Sequence, residues 1–187
     1  MIKQALGYTL YCLAMYKKHQ ELCRKEIREM LAGRDTDDTT WEDVSKLSYI
    51  TMCIKESLRL YSPIPLASKL LANDCKMNGC RIPKGAMVFI GIHTIHHDSL
   101  VWDDPEKFDP LRFTTENSKK MDPFAFLPFY AGTRNCMGQQ FAMVQMKIAI
   151  ANKFLLEVDT THVVKPCLHL ILKTETGIKL KLSPVVQ

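Results

Sequence analysis

The run Phe129-Tyr-Ala-Gly-Thr-Arg-Asn-Cys-Met-Gly138 sets one cysteine in a glycine-bracketed turn, two residues after an arginine and just before an apolar helical stretch. Free amides and the dipole at a helix N-terminus favour a thiolate at such a position. Gly132 and Gly138 let backbone approach a flat ligand or adopt dihedrals closed to other residues. An anionic sulfur presented this way suits an axial ligand for haem iron, and Arg134 is placed to neutralise a propionate. Two other uses of Cys136 stand beside that one. It could pack as a small hydrophobe at the helix start. It could also be a nucleophile, provided the fold brings His93, His96 or His97 near as a base.

Other residues carry weaker signals. Glu56 and Arg59 are spaced i,i+3 on one helical face, which allows an ion pair, and a solvated surface pair is the ordinary outcome. Lys69 has the reading of a lysine whose stem lies along an exposed strand. His96 and His97 are adjacent, and no carboxylate stands at zinc spacing from them.

These residues depend on the elements around them. The apolar stripe Leu6, Leu10, Leu13, Ala14, continued by Leu22, Ile27 and Met30, predicts one long helix over 5–31. Thr39 with Glu42, or Thr40 with Asp43, can cap a short helix through Leu47. Ser48 is expected to cap a third helix, about 49–61, with Ile50, Ile54 and Leu58 inside; Pro63 and Pro65 stop it. Strand signals follow at 66–72 and 75–77, with Asn78-Gly79 as a turn, and Ala86–Ile92 reads as a buried strand. From His93 to Met121 the chain reads as irregular or in short helices, a length of loop that suits wrapping a partner or cofactor. Gly138 to Leu156 reads as a helix burying Phe141, Val144, Ile148, Ala151 and Leu155. A hairpin of 167–173 with Ile178–Leu182 closes the chain.

Composition narrows the classes. The 187 residues are 47% apolar and carry a net charge of +5, enough for one core. The basic pairs Lys17-Lys18 and Lys119-Lys120 are too short to argue for nucleic acid. Seven cysteines, an odd number without CxxC spacing, point to a reducing compartment, although Cys75 and Cys80 could pair in a hairpin. No signal peptide and no apolar stretch of about 18 residues is present.

The pattern Phe129-x-x-Gly132-x-Arg134-x-Cys136-x-Gly138 resembles the haem-binding signature of cytochromes P450. Glu56-Ser-Leu-Arg59 is similar to that family's Glu-x-x-Arg pair. Phe108-Asp-Pro-Leu-Arg112-Phe113 is similar to its later arginine-containing segment, and all three stand in the family's order. The fatty-acid omega-hydroxylase branch, family 4, is the one most resembled, through Thr51-Met-Cys-Ile-Lys-Glu56, His96-His97 and Pro110-Leu-Arg-Phe113.

The resemblance implies a mainly α fold with small β-sheets, the C-terminal portion of the cytochrome P450 fold. Residues 1–187 would be a partial P450 domain lacking the distal helix and the N-terminal half. It implies haem b, with Cys136 as axial ligand to iron and Arg134, Lys69, Phe129, Gly132 and Gly138 as cofactor contacts. Lys69 stands where relatives commonly carry an arginine reaching a propionate; lysine keeps the charge without the planar fork. Glu56, Arg59 and Arg112 would form a buried structural network, and no residue here is assigned a proton-transfer role. His93, His96 and His97 receive polar or capping roles.

Ile64–Ser68 resembles the strand entry that lines the substrate pocket. Tyr130, at a position usually small, is expected to crowd the loop, and Met137 replaces a small or β-branched residue. The implied partners are an NADPH–cytochrome P450 reductase-like electron donor, met by an area including Lys55, Arg134 and Lys147, and a lipid-like small molecule. The implied location is the endoplasmic reticulum membrane. Two functional readings remain open: a haem-thiolate monooxygenase acting on a fatty-acid-like substrate, and a truncated haem-binding chain with no reaction of its own.

Overall fold

Helix begins at once, because the first residues supply an inward stripe: α1 (Ile2–Met15) buries Ala5, Tyr8, Cys12 and Leu13. The computed structural model describes residues 1–34, 39–151 and 154–184. The single helix expected over 5–31 is two helices, α1 and α2 (Lys17–Leu31), separated by Tyr16 at φ −105 and ψ 72. Two contacts account for the break. The Tyr16 ring stacks on Phe108 at 5.0 Å. Buried Gln20 then takes the carbonyl of Leu13 at 2.9 Å and clamps Leu156 through both its carbonyl and its amide. The backbone group lost to the break is therefore satisfied by a side chain.

A short α3 (Trp41–Lys46) starts with a capping box in which Thr40 and Asp43 exchange hydrogen bonds, so the second of the two expected caps is the one formed. Arg34 grips the same Asp43 carboxylate with two nitrogens at 2.6 and 2.7 Å. This pair, together with Thr40, holds the Asp43 carboxyl well below the usual carboxylate range.

The central helix is α4 (Ser48–Leu60). Its stripe is the expected one, with Ile50 and Ile54 fully buried and Leu58 nearly so. Each such side chain contributes about 1.5–3 kcal/mol on leaving water. Its cap differs from expectation. The Ser48 hydroxyl donates to Lys46 O, while the amides of Tyr49 and Ile50 donate to the two carboxylate oxygens of Glu26, at 2.7 and 3.0 Å. A carboxylate from α2 thus satisfies the orphan donors and the helix dipole together.

Four antiparallel pairs follow among the described residues, none wider than two strands. β1 (Ala67–Leu70) pairs with β4 (Met87–Ile90), and β2 (Cys75–Met77) with β3 (Cys80–Ile82) across the Asn78-Gly79 turn. The register sets Cys75 opposite Ile82 and Cys80 opposite Met77, and both thiols are free. β4 is not the buried strand expected: Met87 and Phe89 are each 59% exposed, because only one strand and no layer covers that face.

Between α5 (Ile92–His96) and α6 (Thr115–Lys120) the chain is irregular apart from a 3-10 turn at Pro110–Phe113, as its prolines suggest. The last helix, α7 (Gln139–Ala151), buries Ala142, Met146 and Ile150. Phe141 and Ile148 are 62% and 45% exposed, so the inward stripe is rotated from the one expected. The strand β5 (Phe154–Val158) then begins where the helix was expected to continue. The closing hairpin also differs. β6 (Pro166–Cys167) pairs with β7 (Lys173–Thr174), while β8 (Leu180–Pro184) pairs with β5 in register Leu156–Leu182. Two-stranded ribbons are marginal alone, and β5–β8 gains its support by packing on α1. The chain is mainly helical with small sheets, as the sequence implied.

Candidate functional site

The cysteine loop runs from Leu127 to the start of α7. It is closed by Tyr130 N donating to Leu127 O at 3.1 Å, Asn135 N to Gly132 O at 3.3 Å and Cys136 N to Phe129 O at 2.9 Å. A 3-10 turn, Gly132–Arg134, lies inside it. Gly132 sits at φ +80, where a side chain is strained, and open space surrounds the position a Cβ would take. Tyr130 adopts φ +65 without being glycine, so the loop carries local strain beside the cysteine.

Cys136 is exposed, and its Sγ has no hydrogen-bond partner among the described residues. Its carbonyl accepts from Gln139 N at 3.4 Å, placing the thiol at the N-terminal end of α7. A Cβ on Gly138 would come 3.9 Å from that sulfur. Glycine there leaves one side of the sulfur open.

The thiol opens onto a cavity of about 970 Å³, at the upper end of the range for small-molecule sites, about 300–1,000 Å³. Cys136, Arg134, Phe129, Gly132, Gly138 and Lys69 all border it, although Lys69 is 67 residues upstream on β1. The remaining wall comes from Ile2 and Ala5 of α1, Leu58 of α4, Ile64, Ala67 and Ser68 at the entry to β1, and Phe141 and Met146 of α7. Tyr130 lines it too. Arg134 and Lys69 have no carboxylate partner among the described residues, leaving two cations on a mostly apolar wall.

Beneath the loop lies a buried ionic network. Glu56 and Arg59 are both fully buried, and Arg59 Nε and Nη2 donate to the two Glu56 oxygens at 2.8 Å each. Arg59 also donates to His96 O at 2.7 Å and Lys107 O at 3.2 Å, and its guanidinium stacks 5.1 Å over Trp102. Glu56 additionally accepts Asp109 N at 2.9 Å. Arg112 joins with Nε 3.4 Å from Glu56, while its Nη2 donates to Asp104 O at 3.0 Å. One carboxylate and two guanidiniums thereby tie α4 to α5 and to the segment 104–112.

Sequence reasoning gave His96 only a polar or capping role, and the structure gives it more. The ring is fully buried and its Nε2 accepts Leu127 N at 2.9 Å, at the root of the cysteine loop. The acceptor role requires the neutral ring with its proton on Nδ1. Burial first, then the nearby Arg59, His97 and His93 charges, lowers its pKa to about 3. The available signal was the i,i+4 spacing from buried Ile92, which puts both on one face of α5.

The His93 and His97 rings lie with centroids 4.0 Å apart and tilted by 39°, and neither residue lines the cavity. None of the three histidines contacts Cys136. Among the cations expected to face an electron donor, Lys147 is half-buried and donates to Val44 O at 3.1 Å, and burial lowers its pKa. Lys55 lies 5.9 Å from the Phe113 ring centre.

No three His, Cys, Asp or Glu side chains are grouped to hold a metal among the described residues. A metal at Cys136 must therefore bring ligands of its own. The cytochrome P450 family profile matches residues 3–182. The chain belongs to the cytochrome P450 family. Haem is the family's cofactor, and the donor set fits it: a free thiol, unpaired cations and a glycine-lined approach on a cavity of adequate size.

Human cytochrome P450 4B1 is 44% identical over 184 residues, covering 96% of this chain and 36% of that protein. The human ultra-long-chain fatty acid omega-hydroxylase is 41% identical, with 96% and 35% covered. The mouse leukotriene-B4 omega-hydroxylase 3 is 44% identical, again with 96% and 35% covered. The crystal structure of a mutant cytochrome P450DA heme domain superposes with a TM-score of 0.88 at 29% identity, over 99% of this chain and 40% of that one. The chain thus spans roughly a third of the length of these three relatives. No helix among the described residues is long and apolar enough to cross a membrane.

Proposed function

We propose that this P450 chain builds the haem-binding side of a monooxygenase site, in which Cys136 would hold the haem iron through its sulfur. Haem held there would supply oxygen activation, the chemistry of a monooxygenase. Arg134 and Lys69 would face the propionates. Gly132 and Gly138 keep the loop backbone close, and Phe129 closes the wall beside the sulfur. Glu56, Arg59 and Arg112 hold the preceding segment, with His96 anchoring Leu127, and transfer no proton. The observation that carries the assignment is the unpartnered Cys136 thiol opening onto a cavity that also collects Arg134 and Lys69.

The apolar wall and the names of two relatives support a fatty-acid-like substrate oxidised at its terminal carbon. A reductase-type flavoprotein fed by NADPH is the electron donor this chemistry needs, and the endoplasmic reticulum membrane is the location implied. The other reading is a chain that binds haem and catalyses nothing.

The test begins with the purified chain and haem, reduced and exposed to carbon monoxide. A thiolate-type Soret band is expected, and Cys136→Ser should abolish it. An imidazole-type band, or no haem uptake, overturns the assignment. Reductase, NADPH and a long-chain fatty acid are then added. A terminally hydroxylated product supports the monooxygenase reading, and a correct spectrum without product supports the haem-binding one.

A further inference from the structure

The seven cysteines divide by surroundings. Cys12, Cys23 and Cys53 are buried in the helical core. Cys23 and Cys53 touch, sulfur to sulfur at 3.6 Å, yet that contact and burial push the Cys53 thiol up and away from the reactive thiolate. Cys75 and Cys80 lie in the β2–β3 hairpin, and neither has a basic side chain hydrogen-bonded to its sulfur. Cys136 belongs to the site described above.

Cys167 is different. It ends β6, half-exposed, and its Sγ lies 3.3 Å from Nε2 of His169. Lys173 is its direct partner across the β6–β7 ladder, a position where Cβ atoms stand about 4.5–5.5 Å apart. Tyr8, whose hydroxyl donates to Lys173 O at 3.1 Å, is the buried neighbour. Its pKa is pushed up to about 12 by burial first and by Cys167 next. A thiol, a ring base within hydrogen-bond reach and a facing cation are thus assembled on one short ribbon.

We propose that Cys167 and His169 form a modification site that reacts with small, negatively charged disulfides such as oxidised glutathione. His169 Nε2 takes the proton from Cys167 Sγ. The thiolate attacks one sulfur of the disulfide, that S–S bond breaks, and a new S–S bond joins Cys167 to half of the reagent. The other half leaves as a thiolate and recovers the proton from His169. No further oxidant is consumed, because one disulfide replaces another: the Cys167 sulfur is oxidised as the departing sulfur of the reagent is reduced to a thiol. Lys173 gives the site its preference for anions.

The test uses the full 187-residue chain and a dianionic aromatic disulfide, 5,5′-dithiobis(2-nitrobenzoate), with each cysteine followed by peptide mass spectrometry. Cys167 should react on the order of a hundredfold faster than exposed Cys80, the lower end of the effect of a positioned base. His169→Ala should remove that advantage, and Lys173→Gln should slow the anionic reagent while sparing neutral 4,4′-dithiodipyridine. Cys53 should stay unlabelled throughout, showing the core intact. Equal rates at Cys167 and Cys80, or a His169→Ala chain that reacts as the parent does, overturn the proposal. Haem binding at Cys136 is read separately and bears on neither outcome.

Discussion

At the residue scale, Glu56 carries the heaviest responsibility, because it neutralises two guanidiniums and caps a backbone amide from one buried point. Glu56→Ala leaves Arg59 charged and unpaired in the interior, and a loss of about 3–5 kcal/mol is expected in urea unfolding. Arg59→Lys keeps the charge but loses the paired contact, so it should also destabilise the chain; an unchanged urea midpoint for either variant contradicts the network's role. His96 supplies a pH dependence. Its folded pKa, about 3, lies below the ordinary 6.5, so between these values the unfolded chain binds the extra proton. The stability contributed by neutral His96 is complete above pH 6.5 and is lost as the pH falls toward 3. The slope is at most about 1.4 kcal/mol per pH unit. His96→Gln should flatten it in urea titrations between pH 6.5 and 4, and a slope unchanged by the substitution assigns it to other groups.

At the scale of elements, side chains from one helix complete another. Glu26 of α2 caps α4, and Gln20 of α2 bridges the end of α1 and the β5 strand. Glu26→Ala exposes two amides at the start of the central helix and should cost about 1 kcal/mol, the usual value of a lost cap. The measurement is the denaturation midpoint beside that of Ser48→Ala, which should hardly move because Ser48 does not serve as the cap. The reverse ranking of the two variants would return the cap to Ser48. Among the four narrow β pairs, β5–β8 draws its support from α1.

At the scale of the molecule, the exposed surface is 12047 Å², about a third more than the roughly 9,000 Å² typical of a compact domain of this mass. Leu70 and Phe89 on the β1–β4 pair and Phe141 at the cavity contribute to it, each about 60% exposed. Haem placed against this apolar wall should stabilise the chain by mass action, by about 3 kcal/mol at a hundredfold excess over Kd. A thermal midpoint that climbs with added haem in the parent, and climbs less with Lys69→Gln and Arg134→Gln combined, is the expected result. A midpoint indifferent to haem would show that the cavity does not take it up.

The cysteine loop, the Glu56–Arg59 pair, the Thr40–Asp43 capping box and the Asn78-Gly79 turn were legible in the chain because each depends on residues within about one turn or one loop of one another. The sequence by itself determined that a thiol would be presented at a helix start with cations and glycines around it. It also set the stripe of α4 that makes the core. Only tertiary structure decided the break at Tyr16, the capping of α4 by Glu26, the pairing of β8 with β5 and the acceptance of Leu127 N by His96. In each of these a backbone or ring group meets a partner distant in the chain, and no local period records such a choice. The cavity is the fullest case. Lys69 and Cys136 share a wall because α4, β1 and α7 converge there, and it is that convergence which sets an exposed thiol and a distant cation around one space.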